Sequence, residues 1–114
     1  MFVIGGVPAR GIVSNTVYRL SLETFEWTTM APMGTARYGC AAVRKGDYIY
    51  VFGGFSGSVL RLVERYSIID NAWESLPDME KERYDHCAVA GPEDDIYIVG
   101  GYHRIDTLDI LDTA

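Results

Sequence analysis

Arg37 and Arg83 open two matching heptapeptides. Arg37-Tyr38-Gly39-Cys40-Ala41-Ala42-Val43 returns 46 residues later as Arg83-Tyr84-Asp85-His86-Cys87-Ala88-Val89. A guanidinium carries a planar fork of donors that pairs bidentately with carboxylates. An arginine recurring at one place in successive units therefore points to one of two roles. It either meets an acidic partner at a shared rim, or it closes ion pairs with acids of the repeat itself. The remaining groups with reactive potential are sparse. His86, His103, Cys40 and Cys87 are the soft metal-ligand candidates, and they lack the short pairings of structural metal sites. Cys87 aligns with Ala41 and Cys40 with His86, so no disulfide framework is expected, only two small buried hydrophobes in a reducing compartment. No Ser–His–Asp set or carboxylate pair stands out. Gly53-Gly54-Phe55-Ser56-Gly57 precedes no helix that could hold a phosphate. These residues predict no catalytic centre, no metal and no cofactor.

The elements that position the arginines repeat as well. Apolar runs ending in a glycine pair occur at Phe2-Val3-Ile4-Gly5-Gly6, Tyr50-Val51-Phe52-Gly53-Gly54 and Tyr97-Ile98-Val99-Gly100-Gly101, 48 and 47 residues apart. Val17, Trp27 and Met33 return 46 residues on as Val63, Trp73 and Met79. Self-similarity at this period marks supersecondary units that bury their faces against neighbouring copies. In the middle unit, Gly39–Val43 reads as a short strand and Arg44-Lys45-Gly46-Asp47 as a polar turn. Tyr48–Phe52 is continuously apolar, so it predicts a strand covered on both faces. The span from Phe55 to Arg61 reads as a loop, Leu62–Ile69 as a third strand, Asp70-Asn71 as a turn and Ala72–Leu76 as a fourth strand. Residues 77–84 carry helix formers, but the equivalent residues 31–38 include Gly34 and Thr35, which favours a loop in both. Four antiparallel strands covered on both faces make one propeller blade. Trp27, Trp73, Tyr50 and Tyr97 recur at the repeat period, which assigns them to packing between blades rather than to a sugar platform.

The bulk properties narrow the function. The 114-residue chain is 48% apolar and 23% charged, the balance of an ordered globular protein. A net charge of −6 with ten basic residues among sixteen acids argues against nucleic acid. No apolar stretch reaches the ~18 residues of a membrane span. No signal peptide is legible, since Gly5-Gly6 interrupts the first apolar run, and no Asn-x-Ser/Thr sequon occurs. A cytoplasmic, intracellular setting is expected.

The chain resembles the Kelch-repeat β-propellers over essentially its whole length. The marks are the apolar run with its glycine pair, an aromatic six residues before a tryptophan (Tyr66 and Trp73), and Pro-x-Met with an arginine in the connection between blades. Val63-Glu64-Arg65-Tyr66, Asn71-x-Trp73 and Met79-x-x-x-Arg83 are most similar to the BTB–Kelch adaptors. Leu20 in place of Tyr66 and Phe25 in place of Asn71 depart from the pattern. The resemblance implies an all-β fold, a partial propeller of about two and a half four-stranded blades. Residues 1–36 would supply strands b-c-d, 37–82 a complete blade and 83–114 strands a-b-c. So few strands predict an open ring, hence either a piece of a longer chain or closure by self-association through open blade faces.

The resemblance also implies a non-catalytic protein-binding module of an adaptor or scaffold, in substrate recognition for a ubiquitin ligase or in cytoskeletal organisation. The alternative is part of a Kelch-propeller enzyme of the oxidase or sialic-acid epimerase type. In the adaptors, arginines at the position of Arg37 and Arg83 can face the propeller mouth, where acidic peptides dock. The candidate partner-binding residues are thus Arg37, Tyr38, Arg83 and Tyr84. The loops after the glycine pairs add Arg10, Asn15, Ser56, Arg61, His103 and Arg104. The expected partner is a protein or acidic peptide segment.

Overall fold

The repeat builds three antiparallel sheets in the computed structural model, which describes residues 1–101 and 108–113. The first holds β1 (Phe2–Ile4), β2 (Val17–Leu20) and β3 (Trp27–Met30) in that order. The second holds β4 (Ala41–Lys45), β5 (Tyr48–Phe55), β6 (Val59–Ser67) and β7 (Ala72–Leu76), again in chain order. The third holds β8 (Cys87–Ala90), β9 (Asp95–Val99) and β10 (Leu108–Asp112). The described residues contain no helix, and residues 77–86 form a connection, as 31–40 do. The protein is an all-β, open array of propeller sheets.

The continuous apolar run gives the strand covered on both faces: Ile49, Tyr50, Val51 and Phe52 are all buried. Burying each such side chain stabilises by about 1.5–3 kcal/mol. The polar turn is tighter than Arg44–Asp47. Arg44 pairs with Ile49 and Lys45 with Tyr48, leaving only Gly46-Asp47 between the strands. Gly46 takes the positive φ (61°) that two-residue hairpins demand. The 55–61 loop also contracts. A register shift between Phe52 and Gly54 lets Gly54 pair with Leu60 and Phe55 with Val59, so only Ser56-Gly57-Ser58 remains between the two strands.

Two apolar clusters join the sheets. Val17, Met33, Ile49, Val51 and Tyr66 fill the space between the first and second, with Phe2 and Ile4 packed on them. Tyr50, Phe52, Val63, Met79, Ile96 and Ile98 fill the second junction. The methionine of each connection thus plugs the junction its connection crosses. Outside the first cluster lies a polar clasp. Asn71 Oδ1 accepts hydrogen bonds from the Ala31 amide (2.9 Å) and the Tyr66 hydroxyl (2.6 Å), while Trp73 Nε1 donates to the Ala31 carbonyl at 2.7 Å. The Tyr-Asn-Trp signature is therefore a device for gripping the preceding connection. The first sheet has Leu20 and Phe25 at two of those places and cannot form the same clasp. Trp27, in turn, is exposed. Cys40 is half-buried and Cys87 exposed, against the expectation of two buried thiols. Cys87 alternates outward from Ala88, which packs on the second cluster.

Candidate functional site

The glycine pairs act as anchors for the next connection. Gly6 donates its amide to the Arg37 carbonyl (2.9 Å) and Gly54 donates to the Arg83 carbonyl (2.8 Å). Each arginine is thereby fixed by its backbone, and its side chain is sent into the protein. Arg37 and Arg83 are both 0% exposed. Arg37 Nη1 donates to the carbonyls of Gly53 (2.9 Å) and Leu62 (3.1 Å), and Nη2 pairs with Glu64 Oε2 at 2.5 Å. The other carboxylate oxygen of Glu64 accepts the Gly34 amide at 2.8 Å. Arg83 Nη1 repeats the first contact, donating to Gly100 O at 3.0 Å. Asp109 stands opposite Ile98 in the third sheet where Glu64 stands opposite Val51 in the second. Neither guanidinium reaches a rim where an acidic peptide could pair with it. The rim placement expected of Arg37 and Arg83 is corrected on this ground: both side chains are fully buried in the blade junctions.

The residue after each arginine goes the other way. Tyr38 and Phe55 exchange backbone hydrogen bonds, Tyr38 N to Phe55 O at 3.1 Å and Phe55 N to Tyr38 O at 2.8 Å. Their rings lie 5.5 Å apart, and Phe55 meets Tyr84 at 5.6 Å in an edge-to-face arrangement. Tyr38, Phe55 and Tyr84 are each half-buried. Asp85 N donates to Gly39 O at 2.8 Å, so the strand entrances carrying the two tyrosines are tied together. The result is a rigid aromatic row across two adjacent blades, at the ends of the sheets where Ser56-Gly57-Ser58 also projects.

The other candidates divide. Arg10 is exposed. Arg61 is exposed and lies 3.5 Å from Asp78, a surface pair of small energetic weight. Ser56 is half-buried beside the row. Asn15 is a brace, its Nδ2 donating to the Met33 carbonyl at 3.2 Å. His103 and Arg104 lie outside the described residues. Phe55, which completes the row, went unassigned from sequence. Its signal was an aromatic directly after a glycine pair, which Tyr102 repeats.

No three His, Cys, Asp or Glu side chains converge among the described residues. Burial pushes the Cys40 thiol upward, against a thiolate role. His86 is buried beside Gly53, and its pKa falls to about 4, first through burial and second through the charge of Arg83, with the Phe52 backbone and then Asp85 opposing. A histidine held neutral in the fold stabilises above its unfolded pKa, near 6.5, and loses that contribution as pH drops through the folded value. Unfolding free energy should therefore fall by roughly 2–3 kcal/mol between pH 6.5 and 4 because of this one group. In His86→Cys, which installs the residue of the preceding repeat, urea titrations over that range should show a correspondingly shallower loss.

The Kelch motif matches residues 1–34 and 36–80. Kelch-like protein 38 of Rattus norvegicus is 33% identical over 106 residues, covering 89% of this chain and 18% of its own length. Kelch repeat and BTB domain-containing protein 2 of Ectromelia virus is 32% identical over 104 residues, with the same coverage on both sides. Kelch domain-containing protein 2 of Bos taurus is 32% identical over 108 residues, 88% of this chain and 26% of that protein. The chain thus spans between about a fifth and a quarter of the length of these relatives.

Proposed function

The chain belongs to the Kelch-repeat family, and from that premise we propose that it is a non-catalytic protein-binding module of an adaptor or scaffold. The observation that carries this reading is the row Tyr38–Phe55–Tyr84. Large aromatic rings, fixed by backbone hydrogen bonds and already partly desolvated, lose little freedom on binding, which is what an interaction hot spot requires. The partner is a protein segment that lays apolar or aromatic side chains across the row, with its polar groups meeting Ser56 and the loop backbone. Acidic character in that segment finds support only in exposed Arg10 and Arg61, because Arg37 and Arg83 are committed to the interior. The BTB domain named in one relative supports an adaptor role, coupling a captured protein to a second domain, as in substrate recognition for a ubiquitin ligase; cytoskeletal scaffolding would use the same row. Two free cysteines suit an intracellular setting.

The test is selection of displayed peptides on the immobilised chain. Selected peptides should lose at least about tenfold in affinity, some 1.4 kcal/mol, on Tyr38→Ala and on Tyr84→Ala. The melting temperature should move little, since both rings are half-exposed. Peptides that bind both variants as they bind the wild type would overturn the assignment.

A further inference from the structure

An exposed carboxylate stands beside the aromatic row. Asp85 follows Tyr84 in the chain and donates its amide to the Gly39 carbonyl, 2.8 Å away. Gly39 follows Tyr38, so this bond sets Asp85 against the strand entrance that carries the other tyrosine. A Cβ added to Gly39 would lie 2.8 Å from Asp85 Oδ1 and 3.4 Å from Tyr84 Cδ2. The bare glycine is thus the floor on which the carboxylate and the Tyr84 ring meet. Asp85 takes a left-handed backbone, φ 54°, where the preceding repeat has Gly39 at 64°. Besides glycine, aspartate and asparagine enter that region most readily, so the fold admits a charged side chain here.

Asp85 is exposed, and among the described residues no hydrogen bond or ion pair engages its carboxylate. His86, the next residue, is kept neutral first by burial and then by the charge of Arg83, and so offers no countercharge near neutral pH. The rings beside it are inclined rather than stacked, Tyr38 to Phe55 at 49° and Phe55 to Tyr84 at 60°. All three are half-buried, which leaves part of each ring open. An aromatic face attracts a cation held within about 6 Å of its centroid. Rings with a carboxylate at their side therefore suit a positive group, the reverse of the acidic partner expected from sequence. The opposite sign is weak here. Arg61 is taken up by Asp78, and Arg10 belongs to a loop of the first sheet, whereas Asp85 leads into the third.

We infer that Tyr38, Phe55, Tyr84 and Asp85 capture an arginine side chain of the partner segment, its guanidinium lying on the rings and pairing with the carboxylate. The inference rests on the reading of the row as the binding surface. Arginine fits better than lysine for three reasons. Its head is planar and weakly hydrated, its fork of donors matches a carboxylate, and its apolar stem covers ring area that the head leaves open. The net charge of −6 draws a basic segment toward the chain during encounter.

The experiment extends the peptide selection. Selected peptides should share an arginine, and each is resynthesised with citrulline there, which keeps the planar shape and removes the charge. Citrulline should weaken binding at least about tenfold. Asp85→Asn should weaken the arginine peptide by a similar factor and leave the citrulline peptide nearly unchanged, the signature of a direct pair. Asp85→Gly installs the residue of the preceding repeat at a backbone that glycine adopts freely. It carries the same expectation, so an unstable Asp85→Asn leaves the outcome decidable. Selected peptides without arginine, citrulline peptides that bind as the arginine ones do, or arginine peptides that bind both Asp85 variants like the wild type would each overturn the inference. If such peptides still weaken on Tyr38→Ala and Tyr84→Ala, the row stands and only the arginine falls. Peptides indifferent to the tyrosines as well, or a selection that yields none, would overturn both.

Discussion

Glu64→Ala should lower the unfolding free energy by about 3–5 kcal/mol, measured by urea denaturation, because it strands the Arg37 charge in a fully buried site. The pair is not merely close. Arg37 spends Nη1 on two carbonyls and Nη2 on Glu64, while Glu64 spends its second oxygen on the Gly34 amide. Removing the carboxylate leaves a guanidinium that cannot be deprotonated in a site that is 0% exposed. Arg37→Met combined with Glu64→Leu should regain most of the loss, since apolar groups of similar volume remove the desolvation cost along with the attraction. Glu74→Ala is the control. Its partner Arg65 also lies over the Tyr48 ring, 4.2 Å from the centroid, and the ion pair sits at the surface. Losing that pair should cost less than about 1 kcal/mol. Equal losses at Glu64 and Glu74 would show that the buried pair is no junction element.

Gly53→Ala should cost roughly 3 kcal/mol or more, with the second blade junction opening before the sheets themselves melt. An added Cβ would lie 2.4 Å from the Arg83 carbonyl oxygen and 3.0 Å from Met79 Cε. The carbonyl cannot retreat without losing the hydrogen bond it accepts from Gly54, and Met79 is the plug of that junction. Gly46 separates strain from contact. Its φ of 61° nearly equals the 58° of Gly53, yet a Cβ there would meet nothing within 4 Å. Gly46→Ala should therefore show only the left-handed backbone cost, about 1–2 kcal/mol. The difference between the two variants measures the junction, and hydrogen exchange should place the extra loss in the amides of Gly54 and β8.

The repeat period, the glycine pairs and the doubly covered strand were legible in the sequence because each follows from periodicity and burial alone. Val63, Trp73 and Met79 could be assigned to packing for the same reason. The direction of Arg37 and Arg83 was not legible. A repeat position places two residues at equivalent points on a ring, but says nothing about whether a side chain turns toward solvent or into the junction. That choice is made by a carbonyl anchored on the preceding glycine pair and by an acid 27 positions downstream, which no local pattern connects to the arginine. Tyr38 and Tyr84 follow the arginines in sequence, and the structure brings their rings together through Phe55. Strand ends were set by pairing rather than composition, so Arg44 and Lys45 extended β4 despite their polarity.

Native-state labelling of arginines with a dicarbonyl reagent, read residue by residue by mass spectrometry, addresses the central claim that the repeat turns Arg37 and Arg83 inward while Tyr38, Phe55 and Tyr84 stay half-exposed at the sheet ends. Arg10 and Arg61 should react at the rate of an exposed guanidinium, while Arg37 and Arg83 stay protected until the protein is unfolded in urea. Arg37 and Arg83 reacting in the native protein as fast as Arg10 and Arg61 would contradict it.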